Sequence, residues 1–322
     1  MRNFCTHFNF KYLARALALH ESMEAHIVSY HLFMFVFDDL SFEILTLLNL
    51  PNVDIIHYRQ FEGAELLKLK TERSTREYMW TVTPFIIIYV FDNYGVQECT
   101  YIDADIYFFS TPEPVFTEAG LYNAIITEHR YAQRYDQASL SGRFCVQFNS
   151  FMRWESSQTV LHDWKNSVAA WCFDRRENGL FGDQMYLDAW PSAYDNIYIV
   201  KNAGVGMAPW NALNYSRFRP HKGLTVTYTP TGQEVGVIFF HFHALTIFSS
   251  RLADLGNYVI TRDIRHNIFR PYLRSLNHAH KQILLLSGNR DIFTPFHWSL
   301  KNVLRQFKRI GHKNFNIVRI PR

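Results

Sequence analysis

The chain is predicted to be an α/β protein built on a doubly wound, mostly parallel sheet, with a basic, mainly helical segment after it. Three observations carry that prediction. Short apolar strands alternate with amphipathic helices between residues 4 and 57, the order that strand–helix–strand units require. A later strand, Cys99 to Ile102, runs directly into two acids, Asp103 and Asp105. Strands of open parallel sheets present such groups to ligands at their carboxyl ends. Charge is divided along the chain. Residues 262–322 hold 13 Lys+Arg and 2 Asp+Glu, and residues 1–261 hold 20 and 27. We therefore expect a sheet domain over 1–261 and a basic helical segment over 262–322.

The 322 residues, 48% of them hydrophobic and 16% aromatic, suffice for a sizeable core. No run reaches the roughly 18 apolar residues of a spanning helix, and the start lacks a signal-peptide core. Cys5, Cys99, Cys145 and Cys172 are scattered with no paired spacing. They read as core residues of a reducing, cytoplasmic protein rather than a disulfide or zinc framework.

In chain order, strands are expected at 4–8, 31–37 and 53–57, with helices at 12–25 and 41–49 between them. Residues 62–93 read as mainly helical, with Pro84 starting or kinking a new helix. Strands follow at 122–127 and 144–154, separated by the polar stretch 128–143, either an active-site cover or a surface loop. Residues 157–173 form an amphipathic helix. Residues 202–211 are a Gly-rich turn that lacks the pattern of a phosphate loop. A hairpin is expected over 224–240, its second strand running on into His241-Phe242-His243.

Two acids at i and i+2 of an extended segment point the same way, so Asp103 and Asp105 can converge on one cation. Hard carboxylate oxygens suit Mg²⁺ or Mn²⁺ shared with phosphates. The alternative is a pair of acids capping a turn. Likewise Asp38-Asp39, at the end of the second strand, reads as a ligand-facing rim or as a helix cap.

Tyr101-Ile102-Asp103-Ala104-Asp105-Ile106-Tyr107 resembles the D-x-D segment of GT-A nucleotide-sugar glycosyltransferases, in particular the retaining glycogenin-like and lipopolysaccharide galactosyltransferase-like group and, closer still, the related bacterial surface-polysaccharide enzymes. Phe148-Asn149-Ser150-Phe151 is similar to that group's FNSG stretch, with Phe in place of Gly, and Gly182-Asp183-Gln184 to its DQ segment. The resemblance implies a GT-A fold and transfer of a sugar, UDP-linked by preference, to a carbohydrate or lipid-linked acceptor. It implies a divalent metal on Asp103, Asp105 and a C-terminal histidine, for which His243 aligns better than His241. It further implies donor contacts from Thr6, Phe8, Asp38, Ala104, Asn149 and Ser150. Trp80 stands where relatives carry an Arg that reaches the sugar, and Arg73 or Arg76 could replace it. Gln184 would lie beneath the sugar. Retention follows from the resemblance alone, and an inverting reaction would press Asp183 into service as base.

Other classes fit less well. A haloacid dehalogenase-type phosphotransferase places D-x-D on its first strand with Thr two residues on; here position 107 is Tyr. A nucleotidyltransferase needs an N-terminal Gly-rich loop that residues 1–20 lack. A non-catalytic protein of the same fold remains the binding alternative. The basic segment, with Phe296, Trp298 and Phe307 among its charges, reads as an element drawn to the anionic inner face of the membrane or as a packed helix. No nucleic-acid motif accompanies it.

Overall fold

The computed structural model describes residues 1–220, 223–288, 290, 292–293, 309 and 314–321. Its centre is a seven-stranded sheet of β1 (Arg2–Phe8), β2 (Tyr30–Val36), β3 (Val53–His57), β4 (Glu98–Ile102), β6 (Ala124–Glu128), β7 (Phe144–Met152) and β8 (Ile197–Ile199). The remaining early strand, β5 (Ile106–Phe108), lies outside this sheet. The order is β3-β2-β1-β4-β7-β6-β8. Pairs β1–β2, β2–β3, β1–β4 and β6–β8 are parallel, whereas β7 runs antiparallel to β4 and β6. The chain leaves β1 toward β2 and β3, then returns to β1's other edge as β4. The order therefore reverses between β1 and β4, and that reversal opens a crevice at their carboxyl ends.

Strands covered on both faces need apolar residues at nearly every position, and β2 supplies them with Leu32 through Val36 all buried. One layer carries the helices Leu13–His26 and Asp39–Leu48 in a core with Phe4, Phe8, Met34 and Phe148. The other carries Thr75–Tyr94 and Glu155–Ala170 in a core with Cys5, Phe35, Tyr101 and Phe151. The helix expected to restart at Pro84 instead runs unbroken from Thr75 to Tyr94, and the break lies earlier. Ser74 caps it, its hydroxyl accepting from the Glu77 N–H while Glu77 accepts from the Ser74 N–H. Pro84 removes one backbone bond, and the buried stripe of Val82, Ile86, Ile87 and Val90 carries the helix through.

The expected hairpin divides. β9 (Tyr215–Pro220), β10 (Leu224–Tyr228) and β11 (Gln233–Gly236) form one antiparallel sheet. The chain then leaves it, and β12 (Phe239–His241) pairs with β5 instead. A third small sheet joins β13 (Thr246–Ser249), β14 (Leu252–Asp254) and β15 (Ile317–Arg319).

Packing crosses the charge boundary at 261/262. The helix Arg270–Leu286 buries Tyr272, Leu273 and Leu276 in the same core as the helix Leu13–His26, and the Tyr272 ring stacks on Phe242 at 3.7 Å. Arg309 closes on Asp254, Nη2 to Oδ1 at 2.7 Å. Removing residues 290–322 would therefore take away a paired strand. Phe296, Trp298 and Phe307 lie outside the described residues. Among the described residues no helix is long and apolar enough to cross a membrane.

Phe151 is fully buried against Trp164 and Trp190, with centroids at 6.2 and 5.9 Å. It fills core, so Phe151→Ala should cost about 3–5 kcal/mol in urea unfolding. A loss below about 1 kcal/mol would mean that the three rings are not packed as described.

Candidate functional site

The site forms where β4 stops. Its last residue hands the chain to Asp103, whose N–H donates to the Gln147 carbonyl at 3.1 Å. The Ile106 N–H then donates back to the Asp103 carbonyl at 3.2 Å. The two acids therefore converge across a turn that joins β4 to β5, rather than by the alternation of one extended strand.

The β5–β12 ladder settles which histidine meets them. His241 stands opposite Ile106 in register. Its N–H donates to the Met207 carbonyl at 2.8 Å, and the next N–H, of Phe242, donates to the Asp105 carbonyl at 2.9 Å. His241 Nε2 lies 3.1 Å from Asp105 Oδ1 and 3.6 Å from Asp103 Oδ2. His243, which the alignment favoured, is not in this group. It is exposed, and its ring rests against Trp210 at 5.3 Å and Tyr258 at 6.3 Å. Side chains two apart in sequence share a side only while the strand lasts, and β12 ends at His241. A turn with Ala244 at φ 62° follows.

A second residue orients the imidazole. Gln147 is fully buried, its Oε1 2.9 Å from His241 Nδ1 and its Nε2 3.3 Å from Thr127 Oγ1. The Thr127 hydroxyl donates to the Cys145 carbonyl, so its oxygen is left to accept from the Gln147 amide. That fixes the Gln147 oxygen toward His241, places the proton on Nδ1 and aims Nε2 at the acids. The Gly-rich turn makes room for this arrangement. A Cβ on Gly206 (φ +74°) would stand 2.7 Å from Gln147 Nε2, and one on Gly204 would collide with the Gly236 carbonyl.

Electrostatics follow from burial and this contact. Burial works against the charge on His241, but Asp105 and then its other partners push the imidazole well above its ordinary value. Burial also works to raise Asp105, yet His241 outweighs it and holds that carboxyl at about 2. Asp103 is raised, chiefly by burial and also by repulsion from Asp105, with His241 offsetting part of the shift. Without a cation the imidazolium is thus the counter-charge of the pair. The ligand atoms of Asp103, Asp105 and His241 all lie within 4.8 Å of one another. Two carboxylates and one oriented imidazole are a donor set that fits a divalent ion of the Mn²⁺ kind, with the imidazole neutral.

Around the cluster, the Tyr101 hydroxyl donates to Asp103 Oδ1 at 2.7 Å and approaches His7 Nε2 at 3.3 Å, and His7 Nε2 lies 3.4 Å from Thr83 Oγ1. Asp183 is buried; desolvation first and Asp103 second raise its carboxyl to about 8. Trp80 packs on Phe181 and would meet a Cβ on Gly182 (φ +56°) at 3.3 Å, so it shapes the segment leading into Asp183. Asn149, on the Tyr101 side of β7, is fully buried with neither amide atom partnered among the described residues.

Other expected contacts are engaged elsewhere. Asp38 caps the helix Asp39–Leu48, accepting from the Ser41 N–H at 2.8 Å. Ser150 lies on the opposite face from Asn149, with Thr100 Oγ1 at 2.8 Å and the Tyr122 hydroxyl at 3.0 Å. Thr6 and Phe8 point into the core, and Ala104 is buried in the turn between the acids. The β1 side chain at the rim is His7. Arg76 pairs with Asp174 at 2.7 Å, and Arg73 is buried against the carbonyls of Val168 and Ala169. Gln184 donates its amide to the Ser141 carbonyl, which ties the DQ segment to the polar 128–143 stretch. The sequence held signals for the missed groups, namely the His241/His243 doublet and the alternation that pairs His7 with Tyr101. Gln147 could be found only through the cross-strand register.

No family model matches the chain. The uncharacterized Bacillus subtilis (strain 168) protein YfnD is 25% identical over 280 residues, 85% of this chain and 88% of that protein. The uncharacterized YfnF of the same strain is 27% identical over 216 residues, 65% and 71% of the two chains. Among solved structures, the galactosyltransferase LgtC, in complex with donor and acceptor sugar analogs, superposes with a TM-score of 0.51 at 12% identity. That match covers 86% of this chain and 95% of LgtC. The chain has the GT-A fold. In the GT-A frame the Asp103–Asp105–His241 cluster stands at the strand-order reversal, beside the end of β1.

If this cluster holds a cation, His241→Ala should weaken Mn²⁺ binding in calorimetry by about tenfold or more, and Gln147→Leu by about 10–100-fold through lost orientation. His243→Ala should leave it within about twofold, since that ring touches neither acid. The opposite ranking of the two histidines would contradict the geometry.

Proposed function

We propose that the protein is a metal-dependent glycosyltransferase that moves a sugar from a nucleotide diphosphate donor, UDP-linked by preference, to a carbohydrate or lipid-linked acceptor. The observation that carries this reading is the Asp103–Asp105–His241 cluster at the β1/β4 crevice of a GT-A fold. Its chemistry is that of a cation bound for a diphosphate: two anionic oxygens, one nitrogen and, among the described residues, no further protein ligand in the cluster leave room for phosphate oxygens. When bound, Mn²⁺ or Mg²⁺ supplies electrostatic stabilisation of the charge that develops on the leaving diphosphate.

The chain's own residues supply the rest. Asp103 and Asp105 anchor the charge, Gln147 orients His241, and Tyr101 holds Asp103 by its hydroxyl. Asn149 carries the unsatisfied amide nearest in register to Tyr101, and a buried amide without partners is costly unless a ligand or water reaches it. We assign it to the donor sugar. Gln184 and Asp183 lie on the segment braced by Trp80, where the reacting face of the sugar would rest. Retention follows from the family resemblance, and the burial that first of all raises Asp183 to about 8 works against its use as the base of an inverting displacement. The charge of residues 262–322 supports attraction to an anionic membrane surface, the inner face in a cytoplasmic protein.

The test is slow hydrolysis of UDP-, GDP-, dTDP- and CMP-sugars with Mn²⁺. One donor should be hydrolysed, EDTA should abolish the reaction, and Asp103→Asn should lower it about a hundredfold while leaving the unfolding midpoint unchanged. Turnover that survives both EDTA and Asp103→Asn would exclude the reading.

A further inference from the structure

Away from the crevice, where the helix that follows Thr261 meets β15, a recess of about 320 Å³ is lined by Arg262, Arg265, His266, Arg270 and Arg319 over an apolar floor that includes Phe269 and Leu273. None of these residues belongs to the Asp103–Asp105–His241 site. We propose that this recess is a binding site for a phosphate oxyanion, a phosphate ester or diphosphate whose organic part rests on the apolar floor.

The charge of the recess is one-sided. Elsewhere several arginines are paired with acids: Arg2 with Glu98 and Glu113, Arg59 with Asp39, Arg143 with Glu128, Arg219 with Glu234. Among the described residues no acid lines this recess. Residues 262–322 contain only Asp263 and Asp291 as acids, so the following sequence brings little counter-charge. Among the described residues, Arg262, Arg270 and Arg319 have no acidic partner. Arg265 is held in place, its Nη2 donating to the Phe315 carbonyl at 3.1 Å and to Asn316 Oδ1 at 2.7 Å, while its buried Nε has no partner among the described residues. Four guanidinium groups around one small volume repel one another. An ordinary solvated face would intersperse them with acids.

The backbone contributes as well. Between the helical turn Arg262–Ile264 and the helix Arg270–Leu286, residues Arg265–Phe269 form a π-helical turn. Such turns recur at functional sites because the extra residue re-aims the side chains that follow. Pro271, with no N–H, favours a widened turn there, since a regular ladder would have to lose the same bond. The result gathers Arg262, His266 and Arg270 around one opening. The side-chain chemistry also selects the ligand. The recess cations are arginines, with no Lys among the lining residues, and the planar guanidinium fork matches phosphate oxygens two at a time. A carboxylate would leave most of those donors unused, and a neutral sugar would leave the charge uncompensated.

The test compares the full-length protein with the triple variant Arg262→Gln/Arg270→Gln/Arg319→Gln. All three side chains are exposed and pair with no acid among the described residues, so the variant should keep its unfolding midpoint and donor hydrolysis. In one arm, sodium pyrophosphate is titrated calorimetrically in EDTA, which silences the divalent-cation site. In the other, the protein is sedimented with phosphatidylcholine vesicles with and without phosphatidylglycerol. Wild-type binding in either arm that falls about tenfold or more in the variant supports the site. Loss in the first arm assigns it to a soluble phosphate and loss in the second alone to a lipid headgroup. Equal binding by both proteins, or binding by neither in both arms, overturns the proposal. A variant with a lowered midpoint is replaced by Arg319→Gln alone, and wild-type affinity in that variant overturns the proposal too.

Discussion

The pairing of β12 with β5 is the constraint on which the site depends. β5 is three residues long and begins immediately after the D-x-D turn, so whatever strand pairs with it delivers side chains to that turn. β12 arrives from a different sheet, crosses beneath the Gly-rich turn and ends at His241. Two backbone hydrogen bonds, from the His241 and Phe242 N–H groups, then fix the backbone there, and Gln147 orients the imidazole. The glycines at 204 and 206 are part of the same device, because a side chain at either would displace β11 or Gln147. A motif spread over residues 103–241 thus behaves as one rigid unit, and rigidity is what a cation site of two acids and one imidazole requires.

Burial gives that unit its electrostatic character. Two carboxylates drawn into a partly enclosed turn would each resist ionising, yet one is held firmly ionised because His241 carries the opposing charge. A divalent cation would take over the role of that proton, so the cluster without metal is already arranged for the metal-bound state. Asp183 feels the opposite field. With no cation beside it, burial and Asp103 hold it protonated. Of these acids only Asp105 is held firmly ionised, while burial raises both Asp103 and Asp183.

Much of the sheet could be read from residues alone, and the reasons are physical. β1 to β3 and their helices carry unambiguous periodicity, and β3 matches its expected bounds of 53–57. Asp103 and Asp105 were legible because two charges at the end of an apolar strand demand an explanation. Errors arose where register or chain reversal decides. The expected strand 235–240 is continuous in hydrophobicity, but Gly236 ends one ladder and Phe239 begins another. The choice between His241 and His243 rests on where that second ladder stops, which no local pattern records. Ser150 followed Asn149 in the motif, yet alternation sends it through the sheet to Thr100 and Tyr122. The change of charge at residue 262 is real in composition, while the core continues across it through Phe269 and Tyr272.

The central claim is that His241, and not His243, completes a cation site with Asp103 and Asp105. Electron spin echo spectroscopy of the Mn²⁺-loaded protein tests it directly, because nitrogen bound to manganese modulates the echo. The account predicts one imidazole nitrogen coupling in the wild-type protein, lost in His241→Asn and retained in His243→Asn. A coupling that survives His241→Asn, or that vanishes in His243→Asn, would contradict it.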